Sequence, residues 1–220
     1  MQLSKRLETC LEYTNGFVKL ADIGTDHAML PIAAVLRGYV YRALAIDNKY
    51  GPFLQARTNV RKYRVSDKVS VLLGEGLSKI DDETDVVVIS GMGGEMIVKI
   101  LQNGEHKNIK RFILQPNTNI PVVREALAEL SYHIVDELVF KDGNKYYEVI
   151  VIERGKASLT PVEVEFGPLN CIQKPYYFVE KWTKEKNALT AIVNQINDDE
   201  ERQKVEKRIT LIEEVLDERK

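Results

Sequence analysis

The stretch ADIGTDHAMLP, residues 21–31, joins a strand-like apolar run to a helix-like apolar run. Gly24 stands where a strand would end, and a glycine there lets the backbone approach a ligand at the carboxyl edge of a parallel sheet. A dinucleotide-binding fingerprint would have further glycines near the positions of Asp26 and Met29. Because an acidic residue in this turn repels a pyrophosphate, the stretch predicts a nucleotide-binding type of fold whose ligand is not a dinucleotide.

Outward from this turn, strand-like and helix-like runs alternate along the chain. Strands are predicted at residues 17–23, 42–46, 69–73, 85–90 and 111–114, and helices at residues 28–36, 52–63, 94–101 and 122–130. The alternation predicts a parallel sheet with helices on both faces. Two more strand-like runs, residues 133–140 and 146–152, flank an Asp142-Gly143 step, which is typical of an antiparallel hairpin.

The closing hairpin makes the predicted sheet mixed and seven-stranded. A standard dinucleotide-binding fold keeps its last strands parallel, and the hairpin instead resembles the ending of class I S-adenosylmethionine methyltransferases. We therefore expect an α/β, Rossmann-like methyltransferase domain over residues 1–156.

Residues 157–220 are predicted to form a second, helical domain. The stretch SLTPVEVEFGPL, residues 158–169, is interpreted as a linker. Two amphipathic helices follow, with these apolar residues on one face of each: Phe178, Trp182, Leu189, Ile192 and Ile196, then Val205, Ile209, Ile212 and Leu216. The segment NDD, residues 197–199, suits a turn and an N-cap, which together predict an antiparallel, coiled-coil-like hairpin.

The composition excludes several classes of protein. Apolar residues make up 44% of the 220 residues, enough for a buried core, and no apolar run approaches the length of a membrane span. The charged, periodic N-terminus is typical of an amphipathic helix and not of a signal peptide, so we expect a cytoplasmic protein. The two cysteines lack metal-ligand spacing, and no metal site is expected.

The net charge is −2, but the charges are unevenly distributed. Six basic residues and one acidic residue lie between positions 49 and 68. We expect Arg57, Arg61 and Arg64 to bind a phosphate-rich substrate, because local potential matters more than total charge. A solvated surface without a partner is the alternative.

Acidic residues and glycines follow the strand ends at which a cofactor would bind. Asp22 suits the ammonium group of a sulfonium cofactor with an amino-acid tail. Asp47, with Asn48 beside it, ends the second strand, where an acid accepts both ribose hydroxyls; a helix cap is the alternative. The candidates after the third and fourth strands are Glu75 and Gly76, near an adenine, and Gly91 and Met92, near a reacting methyl group.

The loop after the fourth strand, SGMGG at residues 90–94, contains neither proline nor an aromatic residue. Enzymes that methylate an exocyclic amine usually carry a polar-Pro-Pro-aromatic motif there. A ring nitrogen has an in-plane lone pair and can attack directly, so this loop favours a ring-nitrogen acceptor. After the fifth strand, the amides of Gln115 and Asn117 flank Pro116, an arrangement that suits hydrogen bonds to a base edge. For Asn117, turn chemistry is an equal alternative.

Two polar side chains follow Gly24 in the opening stretch. Asp26 suits stabilisation of a cationic base, or acceptance of a proton from it, and a cap on the next helix is the alternative. His27 suits orientation or stacking of a base, and a purely structural histidine is the alternative. Both are candidate catalytic residues, together with Gln115 and Asn117.

The order of several short motifs resembles the bacterial tRNA (adenine-N1)-methyltransferase family that modifies adenosine 22. The motifs are LSKRL, ADIGTDHAMLP, AIDNKYGPFLQARTNV, LLGEGL, ISGMGGEMI, ILQPN, YYEVIVIE and the late Gly167-Pro168-Leu169 with Trp182. They span nearly the whole chain. The resemblance implies S-adenosyl-L-methionine as cofactor, a structured tRNA as substrate, and a C-terminal domain that helps to engage it.

The resemblance also assigns roles to residues of this chain. Those that match the family are Asp22, Gly24 and Asp26 in the cofactor loop, Asp47 at the ribose, Glu75 and Gly76 beside the adenine, Gly91 and Met92 beside the methyl group, and His27, Gln115, Pro116 and Asn117 at the pocket rim. Glu75 replaces the Asp of many relatives, and its longer side chain still accepts hydrogen bonds.

Other functions compete with methylation of tRNA at N1 of adenosine 22. They are methylation of another RNA base, a nicotinamide-dependent oxidoreductase, and a non-catalytic RNA- or protein-binding module. The missing glycines disfavour the oxidoreductase. A monomer is favoured, and the sequence leaves the oligomeric state open.

Overall fold

The computed structural model describes residues 1–103 and 108–216, so residues 217–220 of the predicted helical domain lie outside the described residues. The strands are β1 (Lys19–Ile23), β2 (Arg42–Asp47), β3 (Val69–Leu73), β4 (Val86–Gly93), β5 (Arg111–Thr118), β6 (Tyr132–Asp142) and β7 (Lys145–Arg154). The helices are α1 (Lys5–Glu12), α2 (Met29–Leu36), α3 (Tyr50–Lys62), α4 (Gly94–Gln102), α5 (Ile120–Ala126), α6 (Pro161–Phe166), α7 (Pro168–Gln173), α8 (Tyr176–Ile192) and α9 (Asp199–Leu216). Across these two ranges, no helix is both long and apolar enough to cross a membrane.

The strands form one mixed sheet in the order β3-β2-β1-β4-β5-β7-β6. β1 to β5 run parallel, and β7 pairs antiparallel with both β5 and β6. The predicted Rossmann-like sheet with a closing hairpin is therefore confirmed. The chain order reverses between β1 and β4, and open α/β sheets bind ligands beyond the carboxyl ends of the strands at such a switch point.

Two apolar layers hold the helices against the sheet, one on each face. Successive strand side chains alternate between the layers, so Leu20 packs in one and Ala21 in the other. All of β1 and the first half of β4 are buried, as expected of central parallel strands. The loops at the carboxyl edge therefore project from a packed scaffold.

Helix α1 lies across the sheet and brings N-terminal residues to the switch point. It begins where Ser4 accepts a hydrogen bond from the backbone N–H of Leu7 at 3.4 Å. Leu7 and Leu11 pack in the apolar layer, and the helix contacts β4, β5 and β7. Arg6, which directly precedes Leu7, therefore reaches the ends of the central strands, where its guanidinium contacts Gln115 of β5.

Strands β4 and β5 are longer than the sequence predicted. They continue past their expected ends because Met92 pairs with Pro116, and Gly93 with Thr118, after register shifts. The glycine-rich loop after the fourth strand is thus partly a strand. Its backbone is fixed by the neighbouring strand and not by the loop alone.

The prediction of a linker at residues 158–169 is wrong. This stretch forms α6 and the start of α7, each with a proline in its first turn. A capping box starts α6, in which Thr160 and Glu163 each accept a hydrogen bond from the backbone N–H of the other. The capping box was a readable signal, but Pro and Gly in the same stretch concealed it.

The predicted hairpin of two long helices is present as α8 and α9, and Asp198 caps α9 by accepting from the backbone N–H of Glu201 at 2.8 Å. The residues buried between the tail and the sheet are Phe166, Phe178, Trp182, Ile212 and Val215. Two residues expected on this face lie elsewhere. Ile192 is 48% exposed and Ile196 follows a 3-10 turn, because the helical repeat stops at the end of α8.

A buried ion network attaches the tail to the sheet. Arg124 of α5 is fully buried, and its Nη2 lies 2.9 Å from Glu137 of β6 and 2.7 Å from Glu148 of β7. Lys181 of α8 lies 2.7 Å from Glu148, and the backbone N–H of Leu169 donates to Glu137 at 2.7 Å. Burial raises the pKa of Glu137. Burial also acts to raise the pKa of Glu148, but Arg124 and Lys181 bring it below its usual value.

We predict that Arg124→Met lowers the free energy of unfolding by about 3–5 kcal/mol, because it leaves two buried carboxylates without their shared cation. Urea denaturation followed by circular dichroism measures the loss. Arg202→Met is the matched control, since it removes an ion pair with Asp199 that is exposed to solvent, and it should leave stability unchanged. Equal stability of both variants would contradict the prediction.

Candidate functional site

Two cavities open at the carboxyl edge of the sheet, near the switch point between β1 and β4. The larger, about 490 Å³, lies beyond the ends of β1, β2 and β3 and against α4. The smaller, about 240 Å³, is bounded by α1, the turn after β1 and the ends of β4 and β5. Gly24 lines both, so the cavities meet at the turn with which the sequence analysis began.

The backbone conformation favours glycine at position 24. Its φ is +70°, and a Cβ there would lie 2.2 Å from the terminal methyl carbon of Met92, a flexible end that would have to move. Met92 reaches over from the end of β4 and lines the larger cavity beside Gly24. A side chain at this position would displace Met92 and block the place where the cavities meet.

The larger cavity collects predicted cofactor residues from three strand ends. Polar lining residues are Asn48 and Lys49 after β2, Glu75 and Ser78 after β3, Lys99 of α4 and Asn103 directly after it. The apolar ones are Ile23, Leu77, Met92, Met96 and Ile100. Gly76 turns the chain at this wall with a φ of +51°. An apolar pocket with a few polar groups at its rim suits a purine nucleoside.

Asp47 connects the loops after β1 and β2. Its side chain lies at the end of β2 with 8% of the residue exposed. Oδ1 accepts from the backbone N–H of Lys49 at 2.9 Å, and Oδ2 accepts from that of Asp26 at 3.1 Å. The helix-cap alternative is wrong, because Lys49 precedes α3 and the first turn of that helix receives no side-chain cap. Each carboxylate oxygen can accept a further bond, so Asp47 keeps capacity for two hydroxyl groups.

Asp22 is a buried acid at the wall of the smaller cavity. It is 4% exposed and accepts a hydrogen bond from the hydroxyl of Thr25 at 2.6 Å. Burial raises the pKa of Asp22 to about 7; the Asp47 charge acts in the same direction, whereas the Thr25 hydrogen bond opposes it. A cation placed in this cavity would stabilise the ionised form.

Arg6 lines the same cavity and was not among the residues singled out from the sequence. Its Nη1 donates to Oε1 of Gln115 at 3.1 Å. A Cβ at Gly91 would lie 2.5 Å from the same Nη1, so the guanidinium would have to move, and the φ of +79° favours glycine there as well. The motif LSKRL contained Arg6, but only the fold shows that α1 carries it to the switch point.

The prediction that Gln115 reads a base edge is wrong, because both ends of its amide are already hydrogen-bonded inside the protein. Gln115 is fully buried, and its Oε1 accepts from the backbone N–H of Gly91 at 3.1 Å as well as from Arg6. Its Nε2 donates to the carbonyl of Pro116 at 2.9 Å and to Oδ1 of Asn117 at 3.2 Å. Gln115 thus holds the ends of β4, β5 and α1 together.

The other two members of that motif differ in exposure. Pro116 is buried in β5, where Met92 pairs with it, so the prediction that it contacts a substrate is wrong. Asn117 is exposed at the smaller cavity and donates from Nδ2 to the carbonyl of Gly91 at 2.9 Å. Asn117 is therefore the member of the motif that a bound base could contact.

Asp26 and His27 stand at the mouth of the smaller cavity. Their side chains are 64% and 55% exposed, and Oδ2 of Asp26 lies 3.3 Å from Nε2 of His27. The backbone of Asp26 and of Ala28 is left-handed, with φ of +53° and +56°. Non-glycine residues rarely adopt this conformation, and it concentrates at functional sites.

The predicted substrate-binding arginines do not lie at this mouth. Asn59 of α3 donates to the carbonyl of His27 at 2.9 Å, which identifies the side of α3 that faces the turn. Arg57 and Arg61 are each two residues from Asn59, which corresponds to a rotation of about 200° around the helix axis. Both side chains therefore leave α3 on the side opposite to Asn59 and the turn. Arg64 follows the end of α3 remote from the carboxyl edge. All three are exposed, which agrees equally with the solvated-surface alternative.

Comparisons with known proteins bear on this site. Residues 20–217 match the model of a family described as tRNA (adenine(22)-N(1))-methyltransferase. The Bacillus subtilis tRNA (adenine(22)-N(1))-methyltransferase is 36% identical over 99% of this chain and 98% of its own length.

Two solved relatives carry cofactor molecules. M. capricolum TrmK, solved with the cofactor product S-adenosyl-homocysteine, has a TM-score of 0.86 and 31% identity over 98% of both chains. A Streptococcus pneumoniae protein solved with S-adenosyl-L-methionine has a TM-score of 0.90 and 35% identity over 98% of this chain and 100% of its own.

We predict that Asp22 titrates with a midpoint near pH 7 in the free protein, because burial raises its pKa to about 7. Carboxyl 13C NMR of the labelled protein measures the midpoint. Asp47→Asn should lower it by removing a like charge, and Thr25→Ala should raise it by removing a bond to the ionised form. A midpoint near 4, or a downward shift in Thr25→Ala, would contradict this assignment.

Proposed function

We propose roles for the site residues of a chain that belongs to the tRNA (adenine(22)-N(1))-methyltransferase family and uses S-adenosyl-L-methionine to methylate ring N1 of adenosine 22 in tRNA. One observation carries the assignment. Two cavities of different chemistry meet at Gly24, one suited to a nucleoside and one lined by a buried acid and a guanidinium. The exposed pair Asp26 and His27 stands where the second cavity opens to solvent.

The larger cavity suits the adenosine part of the cofactor. Asp47 ends β2 with free acceptor capacity, and we assign it to the ribose hydroxyls with Asn48 beside it. Glu75 and Gly76 bound the opposite wall and are assigned to the adenine. A pyrophosphate would meet Asp22 and Asp26 in the turn after β1, which disfavours a dinucleotide.

The smaller cavity suits the amino-acid tail of the cofactor. Asp22 offers a buried carboxylate to an ammonium group, and Arg6 offers a guanidinium to a carboxylate. The two charges enter from different elements, β1 and α1, and Gln115 fixes Arg6 in place. We assign Gln115 as a positioning residue and not as a catalytic one.

When bound, S-adenosyl-L-methionine supplies a methyl group on a sulfonium centre, and this group passes to N1 of the target adenine. The adenine N1 lone pair lies in the ring plane, so the chain has to align the base and tolerate the positive charge that develops. We assign Asp26 to that charge, because its exposed carboxylate stands at the cavity mouth. His27 and Asn117 border the same opening and are assigned to orienting the base.

The proposed reaction also bears on how tRNA reaches the site and where the enzyme works. A base in a folded tRNA leaves its stack before it reaches such a cavity, at a cost of a few kcal/mol. We place the enzyme in the cytoplasm, with its tRNA substrate, and as a monomer. Arg57, Arg61 and Arg64 keep their predicted phosphate contacts only for parts of the tRNA remote from the target base.

We predict that the purified protein forms N1-methyladenosine in unmodified tRNA and that replacing adenosine 22 by guanosine abolishes the product. Mass spectrometry of nuclease digests measures it. Asp26→Asn should lower kcat at least tenfold with unchanged affinity for S-adenosylhomocysteine, because the carboxylate acts on the base and not on the cofactor. Products limited to methylguanosine or methylcytidine would overturn the base assignment.

We predict that Arg6→Met and Asp22→Asn each weaken S-adenosylhomocysteine binding more than tenfold at pH 8, because each removes a charge-assisted bond to the tail. Calorimetric titration measures the affinity. 5′-Methylthioadenosine lacks the tail and should bind both variants as it binds the wild type.

Lys5→Met is the control, since Lys5 is an exposed cation next to Arg6 in the chain. It should not change either affinity. Equal losses for S-adenosylhomocysteine and 5′-methylthioadenosine would show that the two residues support the fold of the site and do not contact the tail.

A further inference from the structure

A cluster of aromatic and basic residues lies beside the site, where three elements meet. β6 runs in the same direction as β5, so its end reaches the carboxyl edge of the sheet. The start of α1 and the start of α8 converge on that end. We call this region the junction surface and define it by Lys5, Lys141, Tyr176 and Tyr177.

Direct contacts fix the members of the junction surface to one another. Nζ of Lys5 donates to the carbonyl of Lys141 at 2.7 Å and lies 5.1 Å from the ring centroid of Tyr177. The Tyr176 and Tyr177 rings meet edge to face with centroids 5.1 Å apart and planes at 77°. The cation and the two rings thus form one continuous group.

Glu180, one turn further along α8, holds members of the same group in place by accepting their hydrogen bonds. It accepts hydrogen bonds from Lys141 and, at 2.5 Å, from the hydroxyl of Tyr146. The bonds from Lys141, Tyr146 and Tyr176 lower the pKa of Glu180, with Lys141 contributing most. Because the side chains are held before a partner arrives, binding to them loses little conformational entropy.

The junction surface is nevertheless open to solvent. Tyr176 is 73% exposed, and Ile172, at the end of the preceding helix, is 76% exposed. A ring this exposed is accessible to a partner. An aromatic face beside the Lys5 ammonium matches a nucleic acid, whose bases stack on rings and whose phosphates attract cations.

Helix α1 connects the junction surface to the smaller cavity. Lys5 and Arg6 are consecutive residues of α1, and the Arg6 guanidinium lines that cavity. The aromatic and basic group on α3, in which Arg57 lies 5.5 Å from the ring of Phe53, faces away from the turn at His27. Of these two aromatic and basic groups, the junction surface is the one that shares a helix with a residue lining the smaller cavity.

We propose that the junction surface binds the tRNA strand beside the target adenosine, with Tyr176 stacking on an unpaired base and Lys5 contacting a phosphate. The proposal rests on the function proposed above, since it concerns the same substrate at the same site. It gives the start of α8 a direct contact with RNA and makes α1 contribute to both cofactor and substrate binding.

Steady-state methylation of unmodified tRNA tests this. Tyr176→Ala should raise the KM for tRNA about fivefold or more, as expected for the loss of one base–aromatic stack, with kcat and S-adenosylhomocysteine affinity unchanged. Tyr176→Phe keeps the ring and should retain the wild-type KM. Lys5→Ala should weaken tRNA binding and lower the salt dependence of that binding by about one ion.

Tyr41→Ala is the matched control. Tyr41 is 63% exposed and its ring carries Arg42 and Lys68 at 5.6 and 5.9 Å, but it directly precedes β2 and lies at the opposite edge of the sheet. Its KM for tRNA should equal that of the wild type. A KM for Tyr176→Ala within twofold of wild type, or an equal rise in Tyr41→Ala, overturns the proposal.

Three further outcomes separate the explanations. If sedimentation shows a wild-type dimer that Tyr176→Ala dissociates, the junction surface binds a second copy of the chain and the RNA proposal is overturned. If the wild-type protein forms no N1-methyladenosine, the function proposed above fails. If the wild type is active and Tyr176→Ala matches it, only the junction proposal fails.

Discussion

The site depends on one buried amide, that of Gln115. Its oxygen accepts from the Gly91 backbone and from Arg6, and its nitrogen donates to the Asn117 side chain and to the Pro116 carbonyl. An amide is the side chain that can accept and donate at opposite ends without carrying a charge into the core. Because the site is buried, each of these bonds would be costly to leave unmade. The positions of α1 and of the ends of β4 and β5 are therefore set together.

The turn after β1 has a strained backbone that neighbouring side chains support. Asp26 and Ala28 hold left-handed backbone that glycine would adopt without strain. Asp47 supports the strained turn by accepting from the Asp26 N–H, and Asn59 supports it by donating to the His27 carbonyl. A dinucleotide-binding turn keeps glycine here because its ligand contacts backbone. This turn keeps a carboxylate, which fits a site whose ligand needs a side chain.

The sequence predicted the features that show as periodic patterns or as short local motifs. Alternating apolar runs gave the parallel strands and the closing hairpin, and acids at strand ends, such as Asp22 and Asp47, were found because the ends of parallel strands share an edge. It did not predict relations between distant segments. Arg6 enters from a helix more than one hundred residues from its partner Gln115, and the burial of Gln115 depends on the extension of β4 and β5. The side of α3 that faces outward was equally hidden, so the direction of Arg57 and Arg61 required the fold.

The docking of α1 has a consequence for the order in which the molecule is completed during synthesis. α1 is synthesised before every strand of the sheet, yet it packs against β4, β5 and β7, which end as late as Arg154. Arg6 therefore reaches its final place only after β7 has been synthesised. A nascent chain that ends before β5 has the turn after β1 but not the contact between Arg6 and Gln115. A helix that precedes the whole sheet in the chain is thus the last piece to take its place at the site.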